Sequence, residues 1–233
     1  MQHETRHQFR ESLKELEQQA LGGLDMVVSQ LDRALEAVSY QDVELAAMVV
    51  ADDDRIDGRY LEVHQGVLSL LARQAPVAGD LRIVAALLHI IRCVERMGDQ
   101  CVNIAKLVPL SGHEQPKDSE ILEAIERMGA LARAQVKQAK DAFATRSDKL
   151  ALALAAQDEE INALNRQIFR RAVHIGDDAE LREWAMFMVL VARCLERVGD
   201  NTVDIAEQTV FVITGLFREF ADASNPTESV TGS

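Results

Sequence analysis

Two fourteen-residue segments of this chain, 101 residues apart, are near copies of each other. Residues 92–105 read RCVERMGDQCVNIA and residues 193–206 read RCLERVGDNTVDIA, so nine of the fourteen positions are identical. Unrelated strings of this length would share roughly one position. Because a repeat sets the architecture of a whole chain, the sequence predicts a duplicated fold.

A second match supports the duplication. The segment Asp53–Ile56 aligns with Asp158–Ile161 at an offset of 105 residues. The change in offset indicates that a connecting segment differs in length between the copies. Each copy is predicted to form three helices, at roughly 4–40, 42–73 and 77–108 in the first half and 117–146, 148–175 and 178–219 in the second.

Composition favours helices throughout. Aromatic residues make up only 4% of the chain, and its four prolines leave 1–75 and 117–225 free of any. Strands are usually rich in aromatic residues, and long helices need stretches without proline. The sequence therefore predicts an all-α fold of two tandem, pseudo-symmetric three-helix bundles. The predicted domains are a first repeat, a linker, a second repeat and a disordered tail, at 1–110, 111–116, 117–220 and 221–233.

The third helix of each copy carries an apolar seam with alternating spacings of four and three residues. This heptad pattern is typical of helices that pack in bundles, and its Met and Cys members are expected to fill the core. Asp42 and Ser147 are predicted N-caps, and Pro76 is expected near the start of the third helix. The seam residues are Ile83, Leu87, Ile90, Val94, Met97, Cys101, Ile104 and Val108 in the first half, and Met188, Val191, Leu195, Val198, Thr202 and Ile205 in the second.

Carboxylates occupy a face outside the seam in the first half. Glu95 and Asp99 lie one turn apart on the third helix, and Asp53 and Asp57 lie one turn apart on the second. If these two helices run antiparallel, the four carboxylates meet.

The second half repeats the pattern with one change. Glu196, Asp200 and Asp204 follow one another at intervals of one turn on the sixth helix. Asp158 has Asn162 as its neighbour, so one carboxylate is replaced by an amide.

Carboxylates from two helices form a set of hard oxygen ligands, suited to Mg²⁺, Mn²⁺, Ca²⁺ or iron. Neither Cys nor His shares this face, so a closed Cys/His zinc site is not expected. Neither Glu95 nor Glu196 has a His three residues later, as the di-iron bundle enzymes require. Paired acids on a helix are also often simply solvated, and neighbouring arginines could neutralise them, so a purely structural scaffold stays an alternative.

Gly98 and Gly199 directly precede Asp99 and Asp200. A glycine in a helix interior costs about 1 kcal/mol relative to alanine. Its presence in both copies indicates a close approach by another helix, a ligand or a partner.

The charge balance narrows the possible partners. The chain has 25 Lys and Arg against 38 Asp and Glu, a net charge of −13. This disfavours nucleic acid and anionic membranes, and it favours metal cations and basic protein surfaces. No signal peptide or membrane span is expected. Three cysteines, an odd number, argue against a disulfide framework and favour a reducing cytoplasm.

Three segments resemble the PhoU family of bacterial phosphate-signalling proteins. Residues 94–105 and 195–206 are similar to its paired signature, and residues 73–82 (RQAPVAGDLR) are similar to the start of its third helix. The resemblance extends over about 4–220 and implies a six-helix fold and a cytoplasmic, non-enzymatic negative regulator. Such proteins link a phosphate ABC transporter, through its nucleotide-binding subunit, to a sensor histidine kinase.

The resemblance also implies metal binding at acidic motifs, with Fe, Mg, Mn or Zn as the expected ions. A second copy of the chain, forming a homodimer, is an expected partner, and no organic cofactor is expected. The alternative function is a carboxylate-rich helical-bundle enzyme, an oxidase or a phosphatase. The motif positions in this sequence are Asp53, Asp57, Glu95, Asp99, Asp158, Glu196, Asp200 and Asp204, the last standing where the family has Asn.

Overall fold

The computed structural model describes residues 2–111 and 117–220, and the six long helices expected from the sequence are present there. The second of them is divided into two parts, so the helices are numbered α1 to α7. No strand occurs in these two ranges, which confirms the all-α fold. The helices are α1 (Gln2–Tyr40), α2 (Val43–Ala51), α3 (Asp54–Arg73), α4 (Ala78–Leu107), α5 (Ser119–Thr145), α6 (Asp148–Val173) and α7 (Ala179–Thr214).

A short 3-10 turn, Val108–Leu110, follows α4 and ends the first half. Of the predicted linker 111–116, only Ser111 lies within the described residues. The predicted tail, 221–233, lies entirely outside them.

Side-chain caps define several helix starts. The Asp42 carboxylate accepts a hydrogen bond from the backbone N–H of Leu45 (2.9 Å), and the Ser147 hydroxyl accepts one from Leu150 (3.3 Å). Each cap satisfies a backbone donor that the helix itself leaves without a partner. Both predicted N-caps are confirmed, and α4 begins shortly after Pro76 as expected.

The last helix is shorter than predicted. It ends at Thr214 rather than at residue 219, because Gly215 adopts a left-handed conformation with φ of +76°. The N–H of Gly215 donates to the carbonyl of Phe211 (2.8 Å), a common way of closing a helix. The chain then folds back, and the N–H of Phe220 donates to the Glu207 carboxylate (2.6 Å).

The division between α2 and α3 falls at Asp52 and Asp53. Side chains from α1 bind both sides of this junction. Arg33 forms an ion pair with Asp52 (2.6 Å), and the Gln30 amide donates to the Val49 carbonyl and to Asp53 (3.4 Å each). Aspartate competes with the helix for backbone hydrogen bonds, so consecutive aspartates favour an interruption here. The equivalent helix of the second half, α6, is continuous.

The predicted seams lie in the core. All the α7 seam residues are buried, as are those of α4 except the half-buried Ile83. Met97 and Cys101 have no exposed surface, which confirms that they fill the core. In the described part of the chain, α4 and α7 form the most extensive helix–helix contact, and α1 also packs against α5. The two bundles therefore share one continuous core, with each acidic face at its edge.

Candidate functional site

The first-half patch consists of Asp53, Asp57, Glu95 and Asp99, which the structure brings together at the α2–α3 junction and the middle of α4. Partial burial is the main reason why the pKa of Asp53 is raised, and the charges of Asp57 and Asp99 raise it further. The hydrogen bond from Gln30 acts in the opposite direction. The geometry agrees with antiparallel packing of α3 and α4, because Oδ1 of Asp53 lies 3.5 Å from where a Cβ at Gly98, the residue before Asp99, would stand.

Glu95 is the least exposed carboxylate on the α4 side of this patch. Its side chain is 19% exposed, and it accepts a hydrogen bond from Arg92 one turn earlier (3.2 Å). Burial raises the pKa of Glu95, Arg92 lowers it, and the charges of Asp99 and Asp57 raise it. The arginine thus neutralises only part of the patch.

Gly98 allows α4 to approach the α2–α3 junction closely. A Cβ atom added at Gly98 would lie 3.1 Å from Ile56 side-chain carbons and 3.5 Å from Oδ1 of Asp53. Contacts near 3.1 Å are tighter than ordinary van der Waals contacts. The structure therefore assigns this glycine to close helix approach, one of the reasons expected from the sequence.

Two residues of α1 that support the patch were missed by sequence reasoning. Gln30 is buried, with 2% of its surface exposed, and Arg33 forms an ion pair with Asp52. Both line a cavity of about 230 Å³ beside the junction. The signal available in the sequence was the repeat itself, because Gln135 stands at the position equivalent to Gln30.

The second-half patch consists of Asp158, Glu196 and Asp200. Asp158 is 8% exposed and accepts a hydrogen bond from the Asn162 amide (3.0 Å). Its Oδ1 lies directly against Gly199, where an added Cβ would overlap it and would also lie 3.2 Å from Oε1 of Gln135. The Asp158 carboxylate is therefore turned into the bundle, between α5, α6 and α7.

Glu196 and Asp200 lie on the outer side of this patch. Glu196 forms an ion pair with Arg193, as Glu95 does with Arg92, and Asp200 is exposed. The arrangement of an arginine three residues before the glutamate is therefore used in both halves.

Asp204 belongs to a different neighbourhood from the second-half patch. Loss of surrounding water raises the pKa of Asp204, while the charges of Arg96 and His89 on α4 lower it. These groups lie in the first half, so Asp204 is at the junction of the two bundles. Its counterpart Asn103 carries no charge, so this feature belongs to the second copy alone.

The donor chemistry of both patches suits a hard cation, but their side chains are not drawn together around one point. Among the described residues, no three His, Cys, Asp or Glu side chains are arranged to hold a metal ion. The first-half patch concentrates negative potential, which attracts cations and basic side chains. Cys93 and Cys101 are buried in the core, and burial raises the pKa of Cys93 to about 12, so these thiols are not ligands of the patches.

Comparison with known proteins gives consistent matches. The PhoU domain model matches the chain twice, at residues 23–108 and 125–209. The chain is 32% identical to a phosphate-specific transport system accessory protein PhoU homolog of Clostridium acetobutylicum, over 91% of this chain and 96% of that protein. It is 33% identical to the Zymomonas mobilis homolog of the same name, over 84% of this chain and 81% of that protein.

Solved structures agree with this result. The phosphate transport system regulatory protein PhoU from Streptococcus pneumoniae superposes with a TM-score of 0.84 at 28% identity, covering 91% of this chain and all (100%) of that one. PhoU from Pseudomonas aeruginosa gives a TM-score of 0.81 at 25% identity, covering 89% of this chain and 100% of that one. Within residues 2–111 and 117–220, no helix has the length and apolarity needed to cross a bilayer.

Relatives and structural neighbours of this duplicated helical fold are named as accessory and regulatory proteins of phosphate transport, which agrees with the non-enzymatic role expected from the sequence. The chain belongs to the PhoU family, since the family model matches both halves and the relatives match most of its length. The carboxylate-rich oxidase or phosphatase considered from the sequence is not the function of this family.

Proposed function

We propose that this protein is a cytoplasmic negative regulator of phosphate uptake and of the phosphate-starvation response. In this role it is an adaptor between the nucleotide-binding subunit of a phosphate ABC transporter and a sensor histidine kinase. The observation that carries the proposal is the match of both halves to the PhoU domain, together with relatives named for the phosphate-specific transport system. We further propose that the protein forms a homodimer.

The acidic surface supports an adaptor that works through contacts with other proteins. The net charge of −13 and the partly buried first-half patch favour partners with basic surfaces, because opposite potentials speed encounter and fix orientation. A regulator of this kind changes the state of its partners and needs no reactive group of its own.

Gene deletion tests the regulatory role. A reporter driven by a phosphate-starvation promoter should become active in high phosphate when the gene is removed, and the wild-type gene should restore repression. Reporter activity that stays low in the deletion strain, and still rises normally on phosphate starvation, would contradict the proposal. Co-purification of the tagged protein with the transporter subunit and with the kinase then tests the two partners separately.

We also propose that the acidic patches bind Fe, Mg, Mn or Zn. The first-half patch offers four carboxylates to such an ion, and Oε2 of Glu95 is buried without a hydrogen-bond partner among the described residues. Since no three of these side chains converge in the structure, the ion would have to draw them together. Asp53, Asp57, Glu95 and Asp99 would hold the ion, which would supply positive charge between α3 and α4. The second-half patch, with Asp158, Glu196 and Asp200, offers fewer carboxylates, and Asp204 lies apart from it.

Elemental analysis of the purified protein tests this part. The double variant Glu95→Ala/Asp99→Ala should lose most of the bound metal that the wild type retains after dialysis. The matched control is Glu196→Ala/Asp200→Ala in the second half, which should lose less. Equal metal content in the wild type and in the Glu95→Ala/Asp99→Ala variant would remove the first-half patch as a metal site without affecting the regulatory proposal.

A further inference from the structure

The outer face of α6 and α7 carries a groove that the acidic patches do not use. The groove has a volume of about 460 Å³ and is lined by Phe169 on α6 and by Val189 and Leu190 on α7. Phe169 and Leu190 are 54% and 50% exposed. Large apolar side chains with this exposure usually mark a binding surface when they occur together rather than singly.

The apolar surface continues towards the loop between the two helices. Val173 lies one turn beyond Phe169, and Met186 lies one turn before Leu190. Both are exposed by more than half of their surface. These two side chains extend the apolar surface by about one helical turn along each helix, which gives a docked helix room for a second apolar anchor.

Three arginines surround this groove in a chain that is otherwise strongly acidic. Arg166, Arg170 and Arg193 line it together with the apolar residues. Arg166 forms an exposed ion pair with Glu159, which is weak and can be exchanged for another. Arg193 pairs with Glu196, whose side chain is only 14% exposed. For Arg170, no carboxylate of residues 6–111 or 117–220 lies within ion-pair distance. A positively charged rim around an apolar floor selects a ligand with apolar side chains flanked by carboxylates.

The equivalent face of the first half lacks this combination. His64 and His89 stand at the positions of Phe169 and Leu190. Tyr60 packs against His64 with ring centroids 5.6 Å apart, and the guanidinium of Arg92 lies 5.9 Å from the Tyr60 ring centroid. Rings of the first half are thus engaged with one another, and only Arg92 keeps the charge of its counterpart Arg193. The groove is therefore a property of the second half and not of the repeat.

We propose that the α6–α7 groove binds an acidic amphipathic helix of a partner protein. Bulky apolar side chains of that helix pack on Phe169 and Leu190, and its carboxylates pair with the arginine rim. A second copy of this chain is a poorer ligand for the groove. Its acidic patches could pair with the arginines, but they have no large apolar side chains at their centre to pack on Phe169 and Leu190. This proposal goes beyond the phosphate-signalling role and does not depend on it.

Peptide binding to the full-length protein tests the proposal. The probe is a synthetic helical peptide of about 16 residues, with Leu and Phe one turn apart and Glu on both flanks. Its matched control carries Lys in place of every Glu. Fluorescence anisotropy should show saturable binding of the acidic peptide that weakens with added salt. The lysine peptide should bind at least about tenfold more weakly.

Protein variants locate the binding site. Phe169→Ala/Leu190→Ala should weaken binding about tenfold or more, as expected for central apolar anchors, and Arg170→Glu should weaken it as well. The first-half control His64→Ala/His89→Ala should bind like the wild type. These residues are exposed except for His64, which is half-buried, so circular dichroism is expected to show the same helix content in every variant.

Three results would overturn the proposal. The first is no saturable binding of the acidic peptide by the folded protein, and the second is equal binding of the lysine peptide. The third comes from sedimentation: if Phe169→Ala/Leu190→Ala converts a dimer into a monomer, the groove is occupied by a second copy of the chain. Retention of the wild-type oligomeric state by this variant, together with loss of peptide binding, supports a partner helix.

Discussion

The two halves of the molecule use one helical frame but treat an equivalent carboxylate in opposite ways. Asp53 lies at an interruption between α2 and α3, half-buried and near the charges of Asp57 and Asp99. Asp158 lies in the continuous helix α6, buried and bound to an amide. The aspartate has the same backbone position in both copies. Its neighbouring residues differ, and they determine whether its side chain lies near other charges or in the core.

A second pair of equivalent positions accompanies this difference. In the first half Arg33 and Asp52 form an ion pair at 2.6 Å, whereas in the second half Gln138 and Gln157 form an amide–amide hydrogen bond at 3.2 Å. The charged pair pulls the residue before Asp53 towards α1, at the point where the helix is interrupted. We infer that this charged pair helps to hold the interruption that exposes the first-half patch.

The largest expected difference between the halves concerns the two glycines. Gly199→Ala should lower the free energy of unfolding by about 1–3 kcal/mol, because the new Cβ overlaps the buried Asp158 carboxylate and crowds Gln135. Gly98→Ala should stay within about 1 kcal/mol of the wild type, because its tightest contacts are 3.1 Å and alanine has the better helix propensity. Urea unfolding followed by circular dichroism measures both.

The double variant Gly199→Ala/Asp158→Ala serves as the control for this comparison. Removing the carboxylate should recover part of the stability lost in Gly199→Ala, because the overlapping atom is gone. Equal losses for Gly98→Ala and Gly199→Ala would show that the two helix approaches are equivalent and that the inward turn of Asp158 has no energetic consequence.

Sequence patterns predicted the fold well because each depends on local rules. The heptad seams, the N-caps Asp42 and Ser147, and the repeat itself follow from spacing and residue type alone. The end of α7 at Gly215 and the junction at Asp52 were missed. Glycine is tolerated inside a helix, so only the conformation of Gly215 shows that the helix stops there. Both sides of the junction are bound by Arg33 and Gln30, which lie on another helix, and spacing within the α2–α3 segment does not reveal these contacts.

The candidate site was predicted in part for the same reason. The repeat placed four first-half carboxylates on facing helices, and the structure brings them together. The repeat could not reveal that Asp158 turns inward or that Asp204 faces α4, because both depend on packing between helices. A single residue such as Asn162 does not by itself indicate in which direction a neighbouring side chain points.

A smaller change in the free energy of unfolding is expected at Asp53, because its pKa differs between the folded and unfolded states. Burial raises this pKa, so the folded protein binds the proton more tightly than the unfolded chain does. The contribution of Asp53 to stability therefore decreases as pH rises from about 3.8 to the higher folded pKa, and the ionised form destabilises the fold at neutral pH. Asp53→Asn should stabilise the protein by about 0.5 kcal/mol at pH 7, and this advantage should shrink as pH falls.

Thermal or urea unfolding across pH 4 to 7 measures this difference. The charge-matched control is Asp141→Asn, at an exposed position. The control variant should show no comparable pH-dependent gain. A gain at Asp53→Asn that is the same at every pH would show that the carboxylate does not titrate as the geometry of the first-half patch requires.

The smallest expected effect tests the ion pair that distinguishes the halves. Arg33→Gln/Asp52→Gln gives the first half the amide pair of the second. The hydrogen bond and charge of Arg33 hold the pKa of Asp52 below its ordinary value of 3.8, so the pair stabilises the fold above that pH and is lost as pH falls through the lower folded value. Both side chains are about one-third exposed, at 31% and 38%, so water and salt weaken the interaction.

A double-mutant cycle at low and high salt isolates this pair, and its coupling should fall with added salt and with acid. Hydrogen exchange at the amides of Asp53 and Asp54 gives a second, structural readout. If the ion pair holds the interruption open, these amides become more protected in the double variant, as expected for a helix that continues like α6. Unchanged protection would mean that Gln30, which still donates to the Val49 carbonyl and to Asp53, is sufficient to hold the junction. The variant Gln30→Leu, added to the same background, then separates the two contributions.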